Sequence, residues 1–434
     1  MKLTRARSGA VAVLVCFAAA PAHAAPGDLD PSFGGGTGWA RTPQVRPENQ
    51  NYFPDRATGL AVQPDGKIVA VCALSDGGSQ QYFGAFRYLP DGELDSSFGM
   101  GGFVAVDVGR FEESKAVALQ PDGKIVVAGD SVAYDIINGP SGTTVVRFNP
   151  DGSVDKSFGS DGVAHVDRTS TNAVAVQPDG RIVLAGSRSV HPDDPQDQAG
   201  VSVQRLLPDG RLDPSFSHDG KASFDYGYGN DRAEAIVLQR GRLVVGGLGQ
   251  SDSFGVARFR PDGRVDRSFG NRGRRVVSFG REPFAEAHAV TTTPGGGLLV
   301  AGIVAKDAYH PDFAAVRLTP DGALDRRFGK RGHVRTAPGP YGGSAYAVGR
   351  SGRGGMLVAG DALNDGTRTS SSTWALVRYT DGGRRDRSFG EDGIVRTRFG
   401  TGTDTAGALA VVPGKAIVAG EIYGHLGVAR YLTK

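Results

Sequence analysis

Lys115-Ala116-Val117-Ala118-Leu119-Gln120-Pro121-Asp122-Gly123-Lys124-Ile125-Val126-Val127-Ala128-Gly129 contains two short apolar runs joined by a reversal. Proline presets φ and the Asp-Gly pair supplies a tight turn, so the stretch reads as strand, turn, strand. A variable loop follows, and residues 143–148 read as a third strand. Pro150-Asp151-Gly152 turns the chain again, and residues 162–166 read as a fourth strand. Four short strands bounded by turn chemistry form the pattern of a propeller blade. The second and third are apolar on both faces, as expected of a sheet with a neighbour on each side.

Three patterns recur in fixed order, seven times each. L-D-x-S-F-G begins at Leu29, Leu94, Val154, Leu212, Val265, Leu324 and Arg385, at intervals of 53 to 65 residues. Variants of P-D-G-K-I-V-V-A-G begin at Pro64, Pro121, Pro178, Gln239, Pro294, Gly352 and Val412. The third is an apolar run ending in arginine plus an aromatic or leucine. A period near sixty residues means a repeat architecture rather than several unrelated domains.

These patterns resemble the delta-60 repeat family of bacterial secreted proteins across nearly all of the chain beyond the leader. The resemblance implies a propeller-like repeat architecture and carries no catalytic residue. Copies four to seven drift in the second pattern, and Arg385 stands where Leu or Val is usual.

The first 24 residues read separately. Lys2, Arg5 and Arg7 precede an apolar stretch of about eleven residues, and Ala22-His23-Ala24 is a small-residue cleavage site. This is the pattern of a Sec-type signal peptide cleaved after Ala24, which predicts a periplasmic or secreted protein. The apolar stretch is too short to span a bilayer, and no later segment is suited to a membrane span. Cys16 follows Val15 rather than the small residue a lipobox requires. The remainder, residues 25–434, holds 46 basic and 46 acidic residues, which argues against a nucleic-acid partner. Cys72 alone remains after cleavage, so no intramolecular disulfide forms, and its apolar run marks it as a small buried residue.

The chain ends at Arg430-Tyr431-Leu432-Thr433-Lys434, where other copies continue into P-D-G-x-L-D-x-S-F-G. Residues 26–34 supply that missing piece. The expected fold is therefore an all-β, seven-bladed propeller of four-stranded blades, closed by the N-terminal strand completing the last blade. A linear stack would need distinct caps instead.

Each copy also carries one arginine in an apolar strand and one aspartate after the next turn. A partly buried guanidinium needs a carboxylate or carbonyl partner. The pairs expected are Arg87 with Asp95, Arg147 with Asp155, Arg205 with Asp213, Arg258 with Asp266, Arg317 with Asp325, Arg378 with Asp386, and Arg430 with Asp30.

The P-D-G turns place uniform connections on one rim. The other rim receives loops of varied length, such as 46–56, 130–142, 187–200 and 361–372, and is the expected binding face. Its candidate contact aromatics are Tyr52, Tyr82, Tyr134, Tyr226, Tyr228, Tyr309, Tyr341 and Tyr423, with Phe53 and Phe284. No H-E-x-x-H, G-x-S-x-G or Walker motif occurs. Ser153–Lys156 matches S-x-x-K only within the repeat turn. His191-Pro192-Asp193-Asp194 and His310-Pro311-Asp312 read as solvated loops rather than metal ligands, so no cofactor is expected. The functional expectation is an exported, monomeric, non-catalytic scaffold recognising a glycan or protein. The alternative is a propeller hydrolase or lyase with its site at the central channel. Apolar first strands, such as 116–119 and 173–176, favour the scaffold.

Overall fold

The computed structural model describes residues 24–43, 53–77, 80–132, 142–166, 169–188, 200–226, 231–249, 252–280, 282–307, 309–352, 355–364, 371–400 and 402–434. The leader read over 1–24 lies outside these except for Ala24.

Seven antiparallel sheets form a closed ring. Blade two shows the plan: Arg110–Leu119, Ile125–Val132, Gly142–Phe148 and Val163–Val166 pair in chain order from the axis outward. The first strands of successive blades pack against one another around the whole ring, including Thr405–Val412 of blade seven against Gly59–Val62 of blade one. Blade one carries an extra short strand, Phe53–Pro54, on its second strand.

Blade seven is assembled from both chain ends. Thr405–Val412, Lys415–Ile422 and His425–Leu432 are joined by Trp39–Arg41, with Trp39 opposite Ala429 and Arg41 opposite Gly427. The closure extends beyond the ladder: Asp30 N–H donates to Arg430 O at 2.8 Å, and Leu432 N–H to Asp28 O at 2.9 Å.

Second and third strands are buried along nearly their whole length, as in Leu298–Ala305 and Ser372–Tyr379. Apolar side chains on both faces of each sheet thus fill the seven interblade cores, and their burial supplies the main driving force for closure. First strands are half-buried, because one of their sides faces the axis. Gly123 in the first turn of blade two sits at φ +85°, a conformation that L side chains rarely adopt, which explains why glycine follows Asp in that turn.

Candidate functional site

The repeat arginines and aspartates form one structural device, repeated seven times. Arg87, Arg147, Arg205, Arg258 and Arg430 donate from Nε to Asp95, Asp155, Asp213, Asp266 and Asp30 at 2.7–2.9 Å. Arg317 and Arg378 lie 3.0 Å from Asp325 and Asp386. Each guanidinium also stacks over the phenylalanine of S-F-G, from Phe98 at 4.5 Å to Phe328 at 5.1 Å. A remaining Nη reaches into the next blade. Arg87 donates to Pro150 O, Arg147 to Pro208 O, Arg205 to Pro261 O, Arg258 to Pro320 O, and Arg430 to Pro90 O across the closure. Arg317 uses Asp381 and Arg378 uses Thr433 O in the same role. The arginine is thus a clamp between neighbouring blades as well as a partner within its own.

In five blades the aspartate meets a second cation, at or just before the start of the second strand: Lys67, Lys124, Arg181, Arg242 and Lys415, at 2.7–3.2 Å. Gly297 and Gly355 stand there in blades five and six. Burial works against the charge of Asp95, but hydrogen bonds from Ser97 and Lys67 and the charge of Arg87 outweigh it and hold the pKa at about 2. Asp213 is held at about 2 in the same way by Ser215, Arg205 and Arg181.

A second repeated feature builds the axial site. In blades two to seven the first strand carries a β-bulge against the second, and the extra residue is Lys115, Asn172, Glu234, His288, Tyr346 and Gly407 in turn. A bulge bends its strand and re-aims one side chain. These six residues, with Thr58 of blade one, line a cavity of about 360 Å³ together with Arg56, Glu113, Arg232 and Glu286. All seven blades contribute to it, at the variable-loop end of the channel.

The bulge has a cost that the sequence reveals. In six blades the carbonyl two residues before the extra residue lies against the glycine of the second strand, where a Cβ would come within 1.9–2.0 Å, as at Gly129 against Glu113 O. Blade one makes its first-strand pairs from Gly59 without such a bulge, and there Cys72 replaces the glycine. Burial pushes the Cys72 thiol pKa well up.

The cavity is wired across blades. Thr58 Oγ1 donates to Ser114 O at 2.6 Å, and Asn172 Nδ2 to Ala233 O at 3.0 Å. His288 Nδ1 pairs with Ala345 O at 2.7 Å, and its ring stacks on Tyr346 at 5.5 Å. Lys115 Nζ meets Asp130 at 2.7 Å and Glu113 at 3.5 Å. Arg232 Nε donates to Glu234 at 2.6 Å, and its Nη2 to Glu286. Burial and the charge of Glu286 raise the Glu234 pKa. Glu286 moves the other way: burial opposes its charge, but His288 and Arg232 outweigh that and lower the value. Burial disfavours charged His288, yet the hydrogen bond and charge of Glu286 raise its pKa overall.

These residues add polar side chains to a channel whose first strands read as mainly apolar. Segments 116–119 and 173–176 begin one residue after the bulge, so Lys115 and Asn172 fell just outside them. The signal lay in the aligned copies: one position, flanked by small residues, reads Thr58, Lys115, Asn172, Glu234, His288, Tyr346 and Gly407 while its neighbours hardly change.

Five segments, residues 63–98, 120–158, 177–216, 241–269 and 296–328, match the family model described as a domain of unknown function (DUF5122) beta-propeller. These five segments are similar to that propeller repeat. The matched segments cover the clamp arginines and the second turn pattern of blades one to five, and the first turn pattern of blades one to three, which are scaffold. No curated protein matches the chain. Among solved structures, the WD40 β-propeller domain of Doa1 is similar at TM-score 0.48 and 10% identity, over 92% of this chain and 98% of that one. An ulvan lyase of polysaccharide lyase family PL25 gives 0.47 and 12%, over 90% and 96%. An unknown-function protein from Dyadobacter fermentans gives 0.42 and 11%, over 92% and 100%. Shared architecture at such identities does not transfer function.

The candidate aromatics that are described differ in exposure. Tyr309, Tyr341, Tyr423 and Phe53 are exposed, while Tyr82 and Phe284 are half-buried. Tyr226 is a correction. It is 1% exposed, packs edge-on against Phe224 at 5.1 Å and belongs to an interblade core. Tyr52, Tyr134 and Tyr228 lie outside the described residues, as does His191-Pro192-Asp193-Asp194. His310 Nδ1 pairs with Asp307 at 2.7 Å, and no cluster of metal-binding type occurs among the described residues. Among them, no helix is long and apolar enough to cross a membrane.

Proposed function

We propose that the chain is an exported binding module whose axial pocket takes a short, uncharged stretch of glycan. The observation that carries this reading is the convergence of the bulge residues. The scaffold repeats its chemistry seven times, yet the bulge position differs in every blade and points into one cavity. Its volume of about 360 Å³ falls within the roughly 300–1,000 Å³ usual for small-molecule sites. Lys115 is neutralised by Asp130, and Arg232 by Glu234 and Glu286. What remains is a ring of polar side chains with little net charge, beside an aromatic ring. That suits the hydroxyls of a sugar better than a single ionic group. The leader signature over 1–24 supports export. The test is a glycan and peptidoglycan binding screen with residues 25–434, followed by calorimetry on any ligand found. Failure to bind any glycan removes this reading.

One observation favours a second reading, glycan cleavage in the same pocket. Glu234 and Glu286 share Arg232, and their pKa values move in opposite directions, as an acid and base pair requires. Incubating bound glycan with the protein and assaying new reducing ends separates the two. Cleavage abolished by Glu234→Gln, with binding retained, would establish an enzyme.

A further inference from the structure

The neutral charge balance of residues 25–434 hides an asymmetry between blades. On the turn rim, the L-D-x-S-F-G segment and the residues after it form an exposed outer loop before each fourth strand. In blades four and five, Arg260, Arg267, Arg272, Arg326, Lys330 and Arg331 are exposed on or beside this loop, and none makes an ion pair among the described residues. The two acidic groups within the same loops, Asp266 and Asp325, are already held by Arg258 and Arg317.

Other blades avoid this accumulation at the same positions. Where blades four and five place Arg267 and Arg326, blades seven, one and three have Pro31, Ser96 and Pro214. Lys156 and Arg387 stand there in blades two and six, but each comes with an acid in its own loop, Asp161 and Asp392. Arg387 is 2.9 Å from Asp392. Arg272 and Arg331 occupy those acidic positions in blades four and five, at φ +54° and +56°. Aspartate tolerates that left-handed conformation better than arginine, because its short side chain can bond locally. The scaffold therefore gives no reason for arginine there.

A groove of about 700 Å³ adjoins this loop. Lys330, Arg331, His333, Arg335 and Arg385 line it, over a floor of Phe279 and Tyr379. Arg335 is balanced by Asp312 and Glu282, while Arg385 shares Asp392 with Arg387, which leaves Lys330 and Arg331 as the lining cations without an ion-pair partner among the described residues.

We infer that the outer loops of blades four and five, with this groove, bind an anionic polysaccharide, its sulfate or carboxylate groups paired to Arg267, Arg272, Arg326, Lys330 and Arg331. Guanidinium forks match both groups in bidentate geometry. A lipid surface fits less well, because the exposed large apolar side chains, Phe53, Met100, Tyr309, Tyr341 and Tyr423, all lie outside this patch, so nothing there would insert. The concave groove suits a chain rather than a plane. This surface is separate from the axial pocket and does not depend on it.

The test measures binding of residues 25–434 to dextran sulfate, polygalacturonate, neutral dextran, duplex DNA and phosphatidylglycerol vesicles. Binding to one or both anionic polysaccharides, weakening at least tenfold between about 50 and about 200 mM salt, is expected. Sulfate and carboxylate preference separate in the first two arms. The variant Arg267→Ser, Arg272→Asp, Arg326→Ser, Arg331→Asp installs residue types that other blades already carry there. It should keep the parent melting temperature and lose at least tenfold in affinity. Undiminished binding by the fourfold variant would overturn the inference, as would no binding to either polysaccharide. Equal or tighter binding to duplex DNA or vesicles would overturn it in favour of that partner.

Discussion

Arg430 donates from Nε to Asp30 Oδ2 at 2.8 Å, joining residues 400 positions apart in the chain. The same arginine stacks over Phe33 at 4.7 Å and donates to Pro90 O of blade one. One side chain therefore ties the C-terminal strand to the N-terminal loop and to the neighbouring blade. Both side chains are more than 90% buried, and removing Arg430 leaves the buried Asp30 carboxylate with only the more exposed Lys415 as a cation. Arg430→Met is expected to cost about 3–5 kcal/mol. Arg317→Met should cost less, because Arg317 and its partners Asp325 and Asp381 are more exposed. Urea unfolding monitored by tryptophan fluorescence measures both. Equal small losses would show that the ring does not depend on this seam.

Acid should unfold the protein late and over a defined range. Asp95 and Asp213 have folded pKa values of about 2 against an ordinary 3.8. A lowered carboxyl pKa stabilises the fold fully above the unfolded value, and that stability is lost as pH falls through the folded value. The contribution of these clamps should be constant above pH 4 and decline from there towards pH 2. Comparing urea midpoints of the parent and Asp95→Asn across this range isolates it. The gap between the two should close on acidification, and a gap unchanged down to pH 2 would contradict the assignment.

The bulge and the second-strand glycine should behave as a coupled pair. Gly129→Ala places a Cβ 1.9 Å from Glu113 O, so the strands must separate. A loss of about 1–3 kcal/mol is expected, as for overpacking elsewhere. Cys72→Ala, at the matching place in a blade without that bulge, removes only a sulfur from a filled core and should cost less. Thermal melts of the two variants provide the comparison. Similar losses would mean that the bulge carbonyl does not set the glycine.

Gly407 makes a related case at the closure. A Cβ there would sit 2.5 Å from Ala57 O of blade one. Gly407→Ala should lower the melting temperature, whereas Asn172→Ala, at the same position in blade three, should leave it nearly unchanged. A melting temperature for Gly407→Ala equal to the parent's would show that the first strands have room at the seam.

The sequence displayed the ring because its repeat is cut across a motif. Residues 26–34 complete what Arg430 to Lys434 begin, and the turn residues Pro, Asp and Gly mark each strand end. The clamp was only half visible. An arginine in an apolar strand calls for a carboxylate, but sequence spacing says nothing about the carbonyl of the next blade, such as Pro150 O for Arg87. The axial pocket stayed hidden for a different reason. Period-two reading assigns Lys115 to whichever face its neighbours dictate, and a bulge breaks that period at the residue itself. Tyr226 failed similarly, since a tyrosine after a fourth strand looks like loop until Phe224 and the adjacent blade cover it.

The most direct test of the axial pocket is a calorimetric titration of one glycan, identified by the screen, into three forms of residues 25–434: the parent, the double variant Glu234→Gln, Tyr346→Ala, and the outer-loop variant of blades four and five. If the bulge residues form the binding site, the parent and the outer-loop variant bind alike, and the double variant loses at least tenfold in affinity at an unchanged melting temperature. Parent-like binding by the double variant would place the ligand elsewhere and contradict the assignment.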